Sequence, residues 1–309
     1  MIKIFKFTEH QFEPIDSIEN GCWVNVIKPD NNELEKLSIE LNVPLDFLMD
    51  SLDIDERARI EKAGNTTLII LRIPVLNTDI SRVPFITLPL GIIIINEIIL
   101  TVCSLDINSL FDLSSRTRNG LPQSPVQLLM QCFANTALLY LKHLRAINRK
   151  SIEVEIELHK AMKNEQLLKL LDIEKSLVFF ITSLRSNEFM MERLKRSDIS
   201  KTNDIDNELL DDIIVDNKQA LEMASIYSNI LSGMMDAFAS VISNNLNIVM
   251  KLLTSITIIL MLPTLVASIY GMNVKLPFQD SPHAFLITIG ISGSLSIIGV
   301  LIFMKRKWF

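Results

Sequence analysis

Residues 252–273 read LLTSITIILMLPTLVASIYGMN, and the part from Leu252 to Tyr270 carries no charged side chain. At about 1.5 Å per residue, a helix of that length matches a hydrocarbon layer ~30 Å thick, so Leu252–Tyr270 is expected to cross a bilayer. A second uncharged stretch, Ala284–Met304, follows after the short connection Gly271–His283. The competing reading of the pair is two buried core helices. Lys251 opens the first stretch, and Lys305-Arg306-Lys307-Trp308 closes the second. Positive charge outside both ends places both chain termini in the cytoplasm, with the connection on the far side of a cell (inner) membrane. The opening MIKIFKFTEH has no apolar core of the kind a signal peptide needs.

Upstream of the first span, punctuation is sparse. No proline occurs between Pro125 and Pro263, and Gly233 is the only glycine there. A stretch that long without breakers is helical. It divides once, at SDISKTNDID (197–206), where polar residues and potential caps interrupt the periodicity. Ahead of that break, Val126–Arg196 is expected to form two or three antiparallel helices. After it, Glu208 starts a pattern that continues to Tyr270. Such a helix would be roughly 95 Å long, too long to stay inside one compact domain.

The first 125 residues look different. Ile2–Phe7, Cys22–Ile27, Thr66–Ile73, Phe85–Leu90 and Ile92–Cys103 are β-branched or aromatic runs, the last punctuated by Asn96-Glu97 as a hairpin would be. Asn32–Leu41 and Pro44–Leu52 read as helices between the early strands. The fold class is therefore an α+β membrane protein. It has an N-terminal α/β cytosolic domain (1–125), a helical hairpin region (126–206), a stalk helix (207–251) running into the first transmembrane helix (252–270), an external loop (271–283), a second transmembrane helix (284–304) and a basic tail (305–309).

Composition agrees with a soluble body carrying a short membrane part. Of 309 residues, 49% are hydrophobic and 21% charged, with mean hydropathy +0.32. A net charge of −6 and a pI near 5.4 argue against nucleic acid as a partner. Cys22, Cys103 and Cys132 form no CxxC pair and are expected to be reduced thiols. Four scattered histidines and the lack of any GxSxG, P-loop, GxGxxG or HExxH pattern argue against an enzyme and against an organic cofactor.

Along the long helix, steps of three and four residues place Ser243, Asn247, Met250, Thr254, Thr257, Met261, Thr264 and Ser268 on one stripe, with Leu, Ile and Val elsewhere. Small or polar residues on one side and aliphatic ones on the other suit a helix bounding a wet lumen inside lipid. The alternative is a helix–helix interface, where Ser and Thr are also common. No Asp or Glu occurs from Asn244 to Gln279, so a carboxylate cage within the membrane is excluded. Pro263 removes one backbone hydrogen bond mid-span, leaving a bend or a carbonyl able to face the lumen. In the second span, Gly290, Gly293, Ser294, Ser296 and Gly299 permit close packing on the first.

Tyr270-Gly271-Met272-Asn273, at the mouth of the first of two C-terminal spans and after a very long helix, resembles the signature of the CorA magnesium transporters. The resemblance implies a homopentamer in which five long helices form a stalk and line one pore, with the GMN ring at its external entrance. It implies a passive divalent-cation channel for Mg²⁺, or for Co²⁺ or Ni²⁺, driven by membrane potential and gated by cytosolic Mg²⁺. The lipid bilayer, divalent cations and further copies of the chain are then its partners. A ring of Asn273 amides could accept hydrogen bonds from the waters of a hydrated ion, which suits Mg²⁺ because it dehydrates reluctantly. Asn247 would repeat that further in. Met250, Leu253 and Met261 resemble the family's apolar constrictions.

For regulation, the resemblance implies Mg²⁺ held between neighbouring subunits by carboxylates of the stalk and of the adjacent α/β domain. Glu208, Asp211, Asp212 and Asp216 supply the first set, with Asp212 at the matching place. The second place falls on Asn65, with Glu61 one helical turn earlier. The alternative is a solvated acidic first turn that complements the helix dipole. After GMN the chain has Val274-Lys275-Leu276-Pro277-Phe278-Gln279-Asp280, a less negative mouth than is usual in the family. Two alternatives remain: a Zn²⁺ transporter on the same fold, or a two-span signalling protein.

Overall fold

The computed structural model describes residues 1–7, 12–77, 83–107, 122, 124–161, 164–197, 205–278, 281–306 and 308. The strands are β1 (Ile2–Phe7), β2 (Phe12–Pro14), β3 (Cys22–Ile27), β4 (Arg59–Ala63), β5 (Thr66–Leu76), β6 (Phe85–Ile95) and β7 (Ile98–Cys103). The helices are α1 (Asn31–Leu41), α2 (Leu45–Asp50), α3 (Pro125–Ala161), α4 (Asn164–Arg196), α5 (Asn207–Tyr270) and α6 (Ala284–Lys305). They group into two compact units, Met1–Gly233 and Met234–Phe309, and α5 belongs to both.

The seven strands form one sheet in the order β2-β1-β3-β7-β6-β5-β4. Only β3 and β7 pair in parallel, with α1 and α2 among the elements between them. One face of the sheet packs Val24, Val26, Leu68, Ile70 and Val102 on Leu34, Leu37, Phe47 and Leu48 of α1 and α2. The other packs Ile69, Leu71, Ile73, Leu90 and Ile92 on Leu129 and Phe133 of α3, Met190 and Leu194 of α4, and Ile213 of α5. Burial on both faces explains why β5 and β6 are continuous apolar runs rather than alternating ones.

Several sequence expectations are corrected. Phe85–Leu90 and Ile92–Cys103 are not separate segments: β6 continues through Gly91 to Ile95, and the turn falls at Asn96-Glu97, where Asn96 takes a left-handed φ of 51°. A Cβ at Gly91 would collide with the Ser51 side chain at the end of α2, so glycine there permits close packing of helix on strand. Strands β2 and β4 went unread. Both are short, β4 is mostly polar, and they form the two edges of the sheet. The stretch Val126–Arg196 forms two helices, α3 and α4, among the described residues. The polar break expected at 197–206 falls mostly outside the described residues, with α4 ending at Arg196 and α5 starting at Asn207.

One polar junction ties the sheet to the helices. The Arg72 guanidinium on β5 donates to the carbonyls of Ile54, Glu56 and Thr87 and to the Thr87 hydroxyl. Its backbone N–H donates to Asn187 Oδ1 at 2.9 Å, and its carbonyl accepts from Asn187 Nδ2 and the Tyr140 hydroxyl. Ser183 donates to Thr87 Oγ1 at 2.8 Å. Burial pushes the Arg72 pKa down, yet four oxygens solvate the cation in place of water. Asn217 of α5 extends the junction by donating to the Leu184 carbonyl of α4.

Candidate functional site

In α5 the spanning segment has two unlike faces. Between Leu252 and Tyr270 only Ser255 and Val266 are buried, with Ile259, Leu262, Pro263 and Tyr270 partly so. Ser255, Ile259, Leu262 and Val266 recur at steps of four and three and therefore share one side. It is the side against α6: a Cβ placed on Gly299 would lie 3.3 Å from Leu262 Cδ1 and 3.8 Å from Ile259 Cγ1. Thr254, Thr257, Met261, Thr264 and Ser268 are all exposed. At about 100° per residue their stripe is centred about 150° from the α6-facing side. Ser243, Asn247 and Met250 extend the same stripe and are exposed too; Leu253 lies at its margin, also exposed.

Hydroxyl geometry adds a chemical detail. Thr257 donates to the Leu253 carbonyl at 2.8 Å, and Thr264 to the Leu260 carbonyl at 3.3 Å. With those protons committed to the backbone, the hydroxyl oxygens offer lone pairs outward. An acceptor-lined stripe suits the outward-pointing hydrogens of a hydrated cation.

The loop after α5 is held in shape. Gly271 N–H donates to the Ala267 carbonyl at 2.9 Å and Met272 N–H to the Ile269 carbonyl at 3.2 Å, closing the helix. The Tyr270 hydroxyl donates to the Pro277 carbonyl at 3.3 Å, so the segment between them, with Asn273 on it, is looped back on the helix end. Phe278 adopts φ 64°, a left-handed turn before Ser281 N–H bonds back to its carbonyl. Met272, Asn273 and Lys275 are exposed. Gln279 and Asp280, read as part of the mouth, lie outside the described residues, as do Lys307 and Phe309 of the tail.

In α6, the expected small-residue contact is only partly right. Ser296 and Gly299 are partly buried, and Gly299 meets α5, whereas Gly290, Gly293 and Ser294 are exposed and a Cβ on either glycine would meet nothing within 4 Å. Composition named the small residues, but the helix period decides which of them share a face. The same phase corrects the reading of Pro263. The carbonyl it frees is that of Ile259, and Ile259 belongs to the α6 side rather than to the polar stripe. Sequence reading also missed Ser255, which is fully buried on that side and donates to the Lys251 carbonyl. Its neighbour Thr254 masked it, because adjacent hydroxyls point to different faces.

The acidic start of α5 presents Glu208 and Asp212 exposed and Asp216 partly so, while Asp211 is ion-paired with Lys195 at 2.6 Å. Glu61 is not on a helix. It sits on edge strand β4, where the alternation Arg59-Ile60-Glu61 buries only Ile60, and its carboxylate pairs with Arg59, which also holds Asp50 and Glu56. Asn65 lies in the β4–β5 turn beside Gly64. Among the described residues of one chain, no three His, Cys, Asp or Glu side chains gather closely enough to hold a metal ion.

An α/β domain whose last helix continues into an apolar hairpin, with no residue of the second helix fully buried among the described residues, fits a two-span membrane protein. Residues 19–306 match the model of the CorA-like Mg²⁺ transporter family, and the chain belongs to that family. This is a family of transporters, not of enzymes. The cobalt/magnesium transport protein CorA of Methanocaldococcus jannaschii is 30% identical over 292 residues, covering 93% of this chain and 90% of that one. The complete structure of the CorA magnesium transporter from the same organism superposes with a TM-score of 0.82 at 27% identity, covering 100% of this chain and 99% of that chain. The cytoplasmic domain of ZntB from Vibrio parahaemolyticus shares the fold at a TM-score of 0.59 and 13% identity, covering 79% and 96%.

Proposed function

We propose that this chain is one protomer of a homopentameric divalent-cation channel, with Mg²⁺ as its principal ion and Co²⁺ and Ni²⁺ as further candidates. The observation that carries the reading is the acceptor-bearing stripe of α5, exposed on the side away from α6 and leading to the loop that carries Asn273. Five such stripes facing one axis would line a lumen, with the α6 helices outside them. Asn273 amides would then accept hydrogen bonds from a hydrated ion at the entrance. Met250, Leu253 and Met261 would supply the apolar narrowings that close a pore by dewetting.

Lys251, Lys305 and Arg306 support a cytosolic side for both termini and the α/β domain. Inside-negative potential then drives entry, at about 4.6 kcal/mol per 100 mV for a divalent ion. Closure by cytosolic Mg²⁺ would draw on the exposed Glu208 and Asp212, with Asp216, facing a neighbouring subunit. Glu61 is the weaker candidate there because its carboxylate is already paired with Arg59.

Proteoliposomes test the reading with Mg²⁺, Co²⁺, Ni²⁺ and Zn²⁺ under an imposed potential. Potential-driven Mg²⁺ entry, blocked by a hexaammine cation and made unselective by Asn273→Ala without loss of assembly, is the expected result. Zn²⁺ entry that requires a proton gradient would replace it with the Zn²⁺ transporter. Absence of flux for every ion would end the channel reading.

A further inference from the structure

Four hydroxyl groups within the apolar hairpin share one habit. Ser255, Thr257, Thr264 and Thr288 each donate to the carbonyl four residues earlier. That is how a hydroxyl is usually satisfied in a helix surrounded by hydrocarbon. Ser296 differs. Its Oγ is buried and has no hydrogen-bond partner among the described residues.

A second orphan lies across the same interface. Pro263 is inside α5 and has no N–H, so the Ile259 carbonyl loses its helical donor. Ile259 is on the α6-facing side, within reach of Gly299. Gly299 stands opposite Ile259 and Leu262, and the two helices are antiparallel neighbours joined by one short loop. Moving three residues back along α6, from Gly299 to Ser296, therefore moves about 4.5 Å along α5 toward Pro263. A helical carbonyl points toward the C-terminus, so the open oxygen of Ile259 also points to the level of Pro263. An unpaired hydroxyl and a carbonyl deprived of its usual helical donor thus occupy neighbouring levels of one apolar seam.

We propose that Ser296 is a positioning residue: its hydroxyl donates to the Ile259 carbonyl that Pro263 deprives of its helical donor, and this inter-helix bond sets the local course of α5 at Pro263 and with it the exposed stripe. The bond is unmade in this structure, and a small sliding or rotation of α6 on α5 makes it. Gly299 permits that movement by keeping the helices close without an intervening side chain. Because the bond acts on the shape of the lining helix, it governs how far the Met261–Thr264 level opens and leaves the Asn273 mouth unaltered. The inference rests on the channel reading for its flux readout only.

The test is a double-mutant cycle in the full chain. Ser296→Ala, Pro263→Ala and the double variant are compared for potential-driven Mg²⁺ flux in proteoliposomes and for thermal midpoint in detergent. Ser296→Ala is expected to lower maximal flux about fivefold, the size of a typical coupling between contacting groups, with the half-saturating Mg²⁺ concentration unchanged. In the Pro263→Ala background, where the alanine N–H satisfies Ile259, the same change should cost less than about twofold. Ser296→Thr should keep wild-type flux, while Ser296→Val, similar in volume but without the hydroxyl, should behave as Ser296→Ala. An equal effect of Ser296→Ala in both backgrounds would overturn the proposal. If Pro263→Ala does not assemble, equal behaviour of the Thr and Val variants would overturn it instead. If the wild type itself passes no ion, the channel reading fails, and additive thermal midpoints across the cycle would separately dismiss the bond.

Discussion

Strand β6 and helix α6 are two apolar runs with opposite fates. FITLPLGIIII, residues 85–95, is enclosed by protein on both sides of the sheet, with all but Ile86 buried. AFLITIGISGSLSIIGVLIFMK, residues 284–305, has no buried residue. Equal apolarity with unequal burial shows which part of the chain finds its nonpolar surroundings within itself and which must find them in lipid.

The sharpest way to break that contrast compares two exposed isoleucines. Ile39 on α1 is 83% exposed and Ile297 on α6 is 63% exposed. Ile297→Arg should cost about 3 kcal/mol of membrane insertion, read as a loss of the membrane-integrated fraction. Ile39→Arg should change stability by less than about 0.5 kcal/mol, as at an ordinary surface site. Equal effects would mean that the two residues face the same solvent. Next in size is Gly91→Ala, whose methyl would meet the Ser51 side chain and force α2 off β6. Overpacking of that kind costs about 1–3 kcal/mol, measured as a lowered denaturation midpoint of the soluble unit.

The smallest effect probes the dielectric of the soluble interior. His143 on α3 packs against Phe85, with ring centroids 4.9 Å apart, and burial, helped by nearby Lys142, lowers its pKa to about 4. The unfolded chain takes up this proton first as pH falls. The stability that neutral His143 contributes is therefore present above about pH 6.5 and is lost progressively toward pH 4. His143→Phe should reduce the drop in thermal midpoint between pH 7 and pH 5. An unchanged drop would show that His143 is as well hydrated as a surface histidine.

How legible all this was depended on the kind of signal. Strands β1 and β3 were read to their boundaries because β-branched and aromatic residues crowd into short runs between turn residues. The long helix and its end at Tyr270 were legible because breakers are missing between Pro125 and Pro263. Strand β2 was not, since the three residues Phe12–Pro14 are too few to show an alternation, and β4 was not, since an edge strand rich in Glu, Arg and Lys lacks the apolar signature of a buried one. For the spanning helix, spacing revealed the polar stripe. It could not tell that α6 would choose Gly299 over Gly290 and Gly293, because a period names sets of residues sharing a face and leaves open which set meets a neighbour. Glu61 was misplaced for a related reason: counting from a motif fixes a position in the chain, not the secondary structure around it.

The Arg72–Asn187 pair has a consequence for the order of biosynthesis. It joins residues 115 apart and draws α4 onto the sheet. Asn187 nevertheless emerges well before the first span. At about 5–20 residues per second, several seconds separate its synthesis from that of Leu252. The soluble unit can therefore lock most of its interior while the apolar hairpin is still unmade. When Leu252–Tyr270 leaves the ribosome it meets a largely closed neighbour, with little open nonpolar surface to compete with the bilayer for it.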